Sequence, residues 1–321
     1  MSTISAASLT SVIPAPHFTS RLVSSLLGVK PLFQFAKNKA RAMMIERAAL
    51  IGVDWQQEAV ALRSRGEAEV FSPLWEQALA HIQNPNLVYP AYYVQPFHAY
   101  EQGNLGWDPA MEVEVAALAV HSRVWGQQAD PQGDARLRHS YHQLLCGSLP
   151  TPPERILDIG CSVGMSTFAL QDCYPRAELI GLDLSPYFLA VAQYRAQQQG
   201  RAVRWIHAAA ETTGLPDQSV DLVSAFLIFH ELPQSATLAI LQEARRILKP
   251  AGSLALMDMD PSSAVYARMP PYLLTLLKST EPYLDHYFTL DLEATLIQAG
   301  FQTPVVTANS PRHRTVIAQR D

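Results

Sequence analysis

The sequence predicts an α/β protein: a mostly parallel sheet with helices on both faces, closed by an antiparallel C-terminal hairpin and preceded by a mostly helical region. Three observations predict it. After residue 153, short apolar runs alternate with helical patterns, the rhythm of parallel strands joined by crossover helices. The last twenty residues read instead as two strands around a tight turn. Before Leu149-Pro150-Thr151-Pro152-Pro153 only helical periodicity is visible, and a proline cluster cannot continue a helix.

The elements follow in order. The first acidic residue is Glu46, and Ser and Thr supply ten of the first 25 residues. Residues 1–20 are read as a flexible N-terminus. An organelle transit peptide is the alternative, weakened by a single Arg21 before Lys30 and by Pro14 and Pro16. Residues 21–150 are read as a helical region. Ala36, Ala40, Met43, Met44, Ala48 and Ile51 form one apolar helix face, and further helices are expected at 55–66, 73–83, 111–126 and 134–147. Between them, residues 84–109 carry Tyr89, Tyr92, Tyr93, His98, Tyr100 and Trp107 among prolines. So ring-rich a loop is expected to act as a lid, or to glue the two regions together. Residues 151–321 are read as the second domain. Its strands are expected at Arg155–Ile159, Glu178–Leu184, Val203–Ala208, Val220–Ile228 and Ser253–Met259, with helices at 186–199, 235–248 and 291–299. Pro304–Ala308 and Arg314–Gln319 complete the sheet around Asn309-Ser310-Pro311.

Composition removes several functional classes. The net charge is −5 and neither half has a basic surplus, so nucleic acid is not an expected partner. No run of 18 apolar residues would cross a membrane. Cys146, Cys161 and Cys173 are too few, and odd in number, for a disulfide framework, and a reducing, cytoplasmic setting is expected. Residues 21–47 hold six basic residues and one acidic. They are read first as a helix packed on the neighbouring domain, and second as a peripheral contact with anionic lipid. His139, His142 and Cys146 share a helix face at metal-like spacing but lack a fourth ligand, so no metal site is expected.

The chemistry concentrates at Asp158-Ile159-Gly160-Cys161-Ser162-Val163-Gly164. A strand entering a glycine turn and then a helix lets backbone approach a ligand. The G-x-G-x-x-G spacing of dinucleotide sites is absent. Asp183 ends the second strand, where an acid can accept from both hydroxyls of a ribose. Two carboxylates on neighbouring strand ends suit a ligand with a cationic amine and a ribose but no phosphate.

D-I-G-C-S-V-G, G-L-D-L-S, S-V-D-L-V and A-R-R-I-L-K-P-A-G-S-L, in that order, resemble class I S-adenosylmethionine-dependent methyltransferases. Within them the chain is similar to the small-molecule branch that includes the ubiquinone and menaquinone methyltransferases. The resemblance covers about residues 153–260 well and the tail loosely. It implies a Rossmann-like seven-stranded sheet, S-adenosyl-L-methionine as cofactor and a small organic acceptor, with no particular oligomeric state. Position by position it implies Asp158, Gly160, Cys161, Ser162 and Gly164 around the methionine end, Asp183 on the ribose, and Leu184 on the adenine. Ser162 stands where the family usually has glycine. Ala208-Ala209-Ala210-Glu211 replaces the common Gly-Asp-Ala-Glu, which leaves Ala210 and Glu211 as adenine contacts through backbone. Phe226 and Leu227 lie beneath the transferred methyl.

Methyl transfer from a sulfonium is a displacement that needs alignment and exclusion of water, with a base only when the accepting atom is protonated. His230 and Glu231 follow the fourth strand and are the candidate catalytic groups, with His98 and Tyr100 on the acceptor side. His230 is equally well read as shaping the pocket. Two other readings are weighed. One is a non-catalytic S-adenosylmethionine-binding partner protein. The other is an α/β-hydrolase, because G-C-S-V-G matches G-x-S-x-G with Ser162 as nucleophile. The helical first half and the missing H-G-G-G-type segment argue against the hydrolase.

Overall fold

The computed structural model describes residues 30–321 apart from 68, 69 and 99. The expected flexible start, the transit-peptide alternative and residues 21–29 of the basic segment lie outside the described residues.

The sheet has seven strands in the order β3-β2-β1-β4-β5-β7-β6. β1 (Arg155–Ile159), β2 (Glu178–Asp183), β3 (Arg204–His207), β4 (Val220–Phe226) and β5 (Leu248–Met259) are parallel. β6 (Val305–Ser310) and β7 (His313–Gln319) close the sheet antiparallel against β5. This is the fold class the sequence predicts. β5 begins five residues earlier than expected, because Leu248 already pairs with Val220 before a register shift at Val220/Leu222 lets the run from Ser253 pair in step. The buried strands read as near-continuous aliphatic runs because helices cover both faces.

α1 (Lys30–Leu50), α2 (Trp55–Ser64), α3 (Leu74–Ile82), α4 (Trp107–His121) and α5 (Gly133–Ser148) precede the sheet. α6 (Met165–Cys173), α7 (Pro186–Gln198) and α8 (Gln234–Ile247) are the crossovers. Local chemistry starts them. Asp54 accepts from the N–H groups of Gln56 and Gln57 at 3.1 and 3.0 Å, and Ser185 caps α7 with Pro186 at its first turn. Between β5 and β6 stand α9 (Ala264–Ala267), α10 (Pro271–Thr280), α11 (Leu284–Phe288) and α12 (Leu292–Gln298). Of these, only the last is visible in the sequence pattern, as the helix expected at 291–299.

One core layer joins the sheet to α8, α11 and α12 around Leu157, Val223, Leu256 and Tyr287. On the other face α5 lies directly on the strands: Leu137, Tyr141 and Leu145 pack with Ile156, Leu222 and Met257. The Tyr141 hydroxyl is 3.0 Å from both Ser224 Oγ and the Ala255 carbonyl oxygen. A third cluster of Trp75, Met111, Val163, Phe188 and Val191 ties α3 and α4 to α7. α1 rests on α2 and α4, with Ala48 buried beside Trp55, Val115 and Ala119. No helix of the described residues is long and apolar enough to cross a membrane.

Candidate active site

The strand ends of β1, β2 and β4 open into one cavity of about 730 Å³, whose opposite walls come from α1, α4, α10 and the aromatic loop. The floor is the turn after β1. Gly160, Ser162 and Gly164 all have positive φ (64°, 51° and 88°), the conformation that turns the chain sharply at a strand end. Gly160 is also required for packing, since a Cβ there would run into Ile228. Ser162 holds the left-handed conformation without glycine's freedom, at a cost of order 1–2 kcal/mol.

Asp183 lines the cavity. Its Oδ2 accepts from the Ser162 N–H at 2.8 Å and its Oδ1 from the Ser185 N–H at 2.7 Å. Asp158 is fully buried and sits off the cavity wall. Its Oδ2 accepts from Ser166 Oγ and Thr167 Oγ1 at 2.6 and 2.7 Å, which anchors the first turn of α6, while Oδ1 is buried without a partner. Burial pushes both carboxyls up to about 6, and for Asp158 the charge of Asp183 adds to it. Asp183 is the desolvated carboxylate that faces the cavity, where the hydroxyls of a ribose would add donors to it, while Asp158 behind the wall holds the turn in place. These residues therefore fit S-adenosylmethionine. Asp183 would hold the ribose, Gly160 to Gly164 the methionine end, and Leu184, Ala210, Phe226 and Leu227 line the same cavity. Cys161 also faces it. Glu211 does not line it; its Oε1 accepts from the Tyr92 hydroxyl at 2.7 Å.

The end of β4 carries a second cluster. Leu227 has φ 59°, and a 3₁₀ turn at Phe229–Glu231 follows. His230 Nδ1 is 2.7 Å from Asp258 Oδ1 on β5, and Asp258 also accepts from the N–H groups of Phe229, His230 and Met259. Burial disfavours the imidazolium, but the Asp258 charge outweighs it and raises His230 to about 10. Glu231 lines the cavity with no hydrogen-bond partner among the described residues. Burial pushes it up to about 7, with His98 and His230 opposing and Glu281 and Asp258 reinforcing the rise. His98, with φ 51°, donates from the loop: its Nε2 is 2.7 Å from Glu281 Oε1, and Glu281 Oε2 is buried without a partner. Burial works against charge on His98, but Glu281 prevails and raises it. Tyr100 lines the cavity too, but its hydroxyl donates to Glu112 Oε2 at 2.6 Å beside Arg41, so it serves the wall rather than an acceptor.

The aromatic loop is fastened over these strand ends. The Asn84 N–H donates to His207 Nδ1 at 2.8 Å, which places the ring proton on Nε2, 3.0 Å from the Leu184 carbonyl and 3.1 Å from the Tyr89 hydroxyl. The Asn104 carbonyl accepts from Ser185 Oγ at 2.7 Å, and the His98 N–H donates to the Thr280 carbonyl. The Tyr93 hydroxyl is buried without a partner near Asp183 and Glu231.

Sequence reasoning gave no role in methyl transfer to Asp258, weighed only as the acid of a hydrolase triad, or to Glu281 and His207, and read Tyr93 only as one ring of the loop. Asp258 carried a usable signal, an acid at the end of the strand beside β4; Glu281 carried none. Ser162 Oγ has no hydrogen-bond partner, so no base serves it as a hydrolase nucleophile would require. His142 is buried and held low, to about 4, by burial and by Arg138, while Cys146 is exposed. Among the described residues no group of three or more metal-ligating side chains exists.

Comparison with known proteins agrees with this geometry. A methyltransferase domain family matches residues 156–252. The chain is 32% identical over 114 residues to a demethylmenaquinone methyltransferase of Thermus thermophilus, an overlap of 36% of this chain and 51% of that protein. It is 30% identical over 162 residues to a ubiquinone biosynthesis O-methyltransferase of Idiomarina loihiensis, covering 48% of this chain and 61% of that one. The chain therefore spans about half of the length of the first of these relatives. An uncharacterized methyltransferase of Synechocystis is matched over more of its length, with 31% identity over 164 residues, 50% of this chain and 73% of that protein. With the strand-end carboxylates, the glycine turn and this shared extent together, the chain belongs to the class I S-adenosylmethionine-dependent methyltransferases.

Proposed function

We propose that this protein transfers a methyl group to a hydroxyl or amine of a small organic molecule held between the β4 end and the aromatic loop. The observation that carries the reading is the meeting of Glu231 and the His230–Asp258 pair on the cavity wall beside Phe226 and Leu227. Bound over Asp183, S-adenosylmethionine supplies an electrophilic methyl and a thioether leaving group. The chain's own residues supply the rest. Asp258 keeps His230 protonated at neutral pH, so His230 is a hydrogen-bond donor to the accepting atom rather than its base. Glu231, shifted to about 7, is the group matched to accept that atom's proton. The proton leaves the acceptor for Glu231 as the new bond to carbon forms, and passes on to water. The loop over the strand ends excludes water from the displacement.

The relatives named above, two of which bear names of quinone biosynthesis, support a small-molecule acceptor. The test begins with calorimetric titration of S-adenosylmethionine into the protein. Tritium transfer from the labelled methyl to a panel of phenols, alcohols, amines and carbon acids follows. Heat on titration and at least one labelled product are expected. Absence of heat would overturn the cofactor assignment, and labelling of carbon acids alone would overturn the choice of hydroxyl or amine.

A further inference from the structure

Among the described residues, four arginines stand on the wall of the central cavity, and Arg41 and Arg138 among them meet a carboxylate, as do several on the surface. Arg41 pairs with Glu112, Arg63 with Asp108, Arg138 with Asp134 and Arg195 with Glu114. Two arginines on the wall of the central cavity do not. Arg47, in the last turn of α1, and Arg312, in the β6–β7 turn, both line it. Neither forms an ion pair with a described residue. Arg312 Nε is buried without a partner, and its Nη2 reaches only the Val120 carbonyl at 3.4 Å. Asp260, whose N–H donates to the Arg312 carbonyl, has its carboxylate engaged by Ser262. Burial lowers both guanidinium pKa values, Arg123 and Arg312 repel the charge on Arg47, and Tyr266 alone opposes the shift on Arg312; no carboxylate acts on either.

The cavity is thus polarised. Its acceptor end holds Asp258, Glu231 and Glu281 against two imidazoles, which disfavours an anionic head. His313, the first residue of β7 and next to Arg312 in the chain, lines the same cavity and is kept neutral by burial first and by Arg312 next. The same wall carries the uncompensated basic pair. Both guanidiniums are partly buried, an unpaired cation drawn from water is costly, and a planar guanidinium fork matches the oxygens of a carboxylate or phosphate.

We propose that Arg47 and Arg312 form an anion subsite at the far end of the acceptor cavity, which takes a carboxylate or phosphate carried by the acceptor molecule itself. The inference rests on reading this cavity as the acceptor site. It specifies an acceptor that is uncharged or cationic where it is methylated and anionic at its other end, with Val120, Met44 and Tyr266 lining the path.

The test is a binding measurement on the full chain saturated with S-adenosylhomocysteine. The probes are 4-hydroxyphenylalkanoic acids of increasing chain length, each paired with its primary amide. The best acid is expected to bind roughly ten- to a hundredfold more tightly than its amide, the range for a hydrogen-bonded charge. Arg312→Gln and Arg47→Gln should each shrink that ratio, and the double variant should bring it to within about twofold. S-adenosylhomocysteine affinity in the same variants reports whether the nucleoside floor has kept its fold, and Arg47→Gln is the informative variant if Arg312→Gln unfolds. Equal binding of acid and amide to the unaltered protein overturns the subsite, as does a ratio that survives both substitutions. Inorganic phosphate binding as tightly as the best acid also overturns it, because the site would then take a free anion. Failure of S-adenosylhomocysteine to bind at all overturns the functional reading instead.

Discussion

Replacing Glu231 with Gln removes the carboxylate that faces the cavity and keeps its shape. Loss of a positioned general base lowers turnover by about 10²–10⁴-fold. The pH profile carries a sharper signature. Glu231 accepts a proton only when ionised, and burial raises it to about 7. Activity should therefore climb with pH, gaining about tenfold between pH 6 and pH 8, and then level off. His230 donates only while protonated, and Asp258 holds it up to about 10, so a second limb should fall on the alkaline side. The two limbs belong to the linked cluster of Glu231, His230, His98, Glu281 and Asp258 rather than to single residues. The assay is release of S-adenosylhomocysteine under saturating cofactor, followed across both limbs. Glu231→Gln should abolish the acid limb, and Asp258→Asn should move the alkaline limb toward neutrality. A Glu231→Gln enzyme that keeps the acid limb, or loses less than about tenfold, would refute the assignment of the base.

Other substitutions probe the floor and the frame. Asp183→Asn removes the charge expected to accept from two ribose hydroxyls, and cofactor affinity should fall roughly 10²–10⁴-fold by calorimetry. The unaltered protein should bind the cofactor more weakly as pH drops below about 6, where Asp158 and Asp183 take up protons. Those raised values also mean that the ligand-free protein loses stability as pH climbs from about 4 to 6, because the unfolded chain releases these protons first. Urea unfolding with and without cofactor across that window checks the sign. Ser162→Gly relieves a left-handed residue, and chemical denaturation should show a gain of no more than about 1 kcal/mol with cofactor affinity nearly unchanged; a collapse of activity would revive a nucleophilic role for the serine. Tyr141→Phe strands Ser224 and the Ala255 carbonyl in the core and should cost about 1–3 kcal/mol in the same measurement, with kinetics unaffected.

How far the sequence could be read follows physical lines. Strand ends and crossover helices were legible because their signals are local: aliphatic runs for β1, β2 and β4, and Ser185-Pro186 opening α7. Gly160 and Asp183 were legible because a sharp turn and a ribose each demand a residue type at a fixed place in the strand. The short helices after β5 were not, since Pro270, Pro271 and Pro282 break the periodicity on which such a reading depends. Glu281 meeting His98, and Arg312 and Arg47 lining one cavity, bring together distant stretches of chain in ways that no spacing encodes. Tyr100 was singled out for chemistry because a tyrosine in an aromatic loop looks free; Glu112 on α4, which engages it, belongs to an unremarkable helix in the sequence.

On the proposed reading, several residues that enclose the acceptor lie outside the stretch matched by the methyltransferase domain family. Arg47, Tyr93, His98, Glu281 and Arg312 all stand outside residues 156–252, whereas Gly160, Asp183 and Glu231 stand inside. On that reading, nucleoside recognition and proton acceptance lie on one segment, and much of the choice of acceptor lies on two others that fold over it. Substitution in those outer segments would then change which acceptor fits while leaving the nucleoside floor in place.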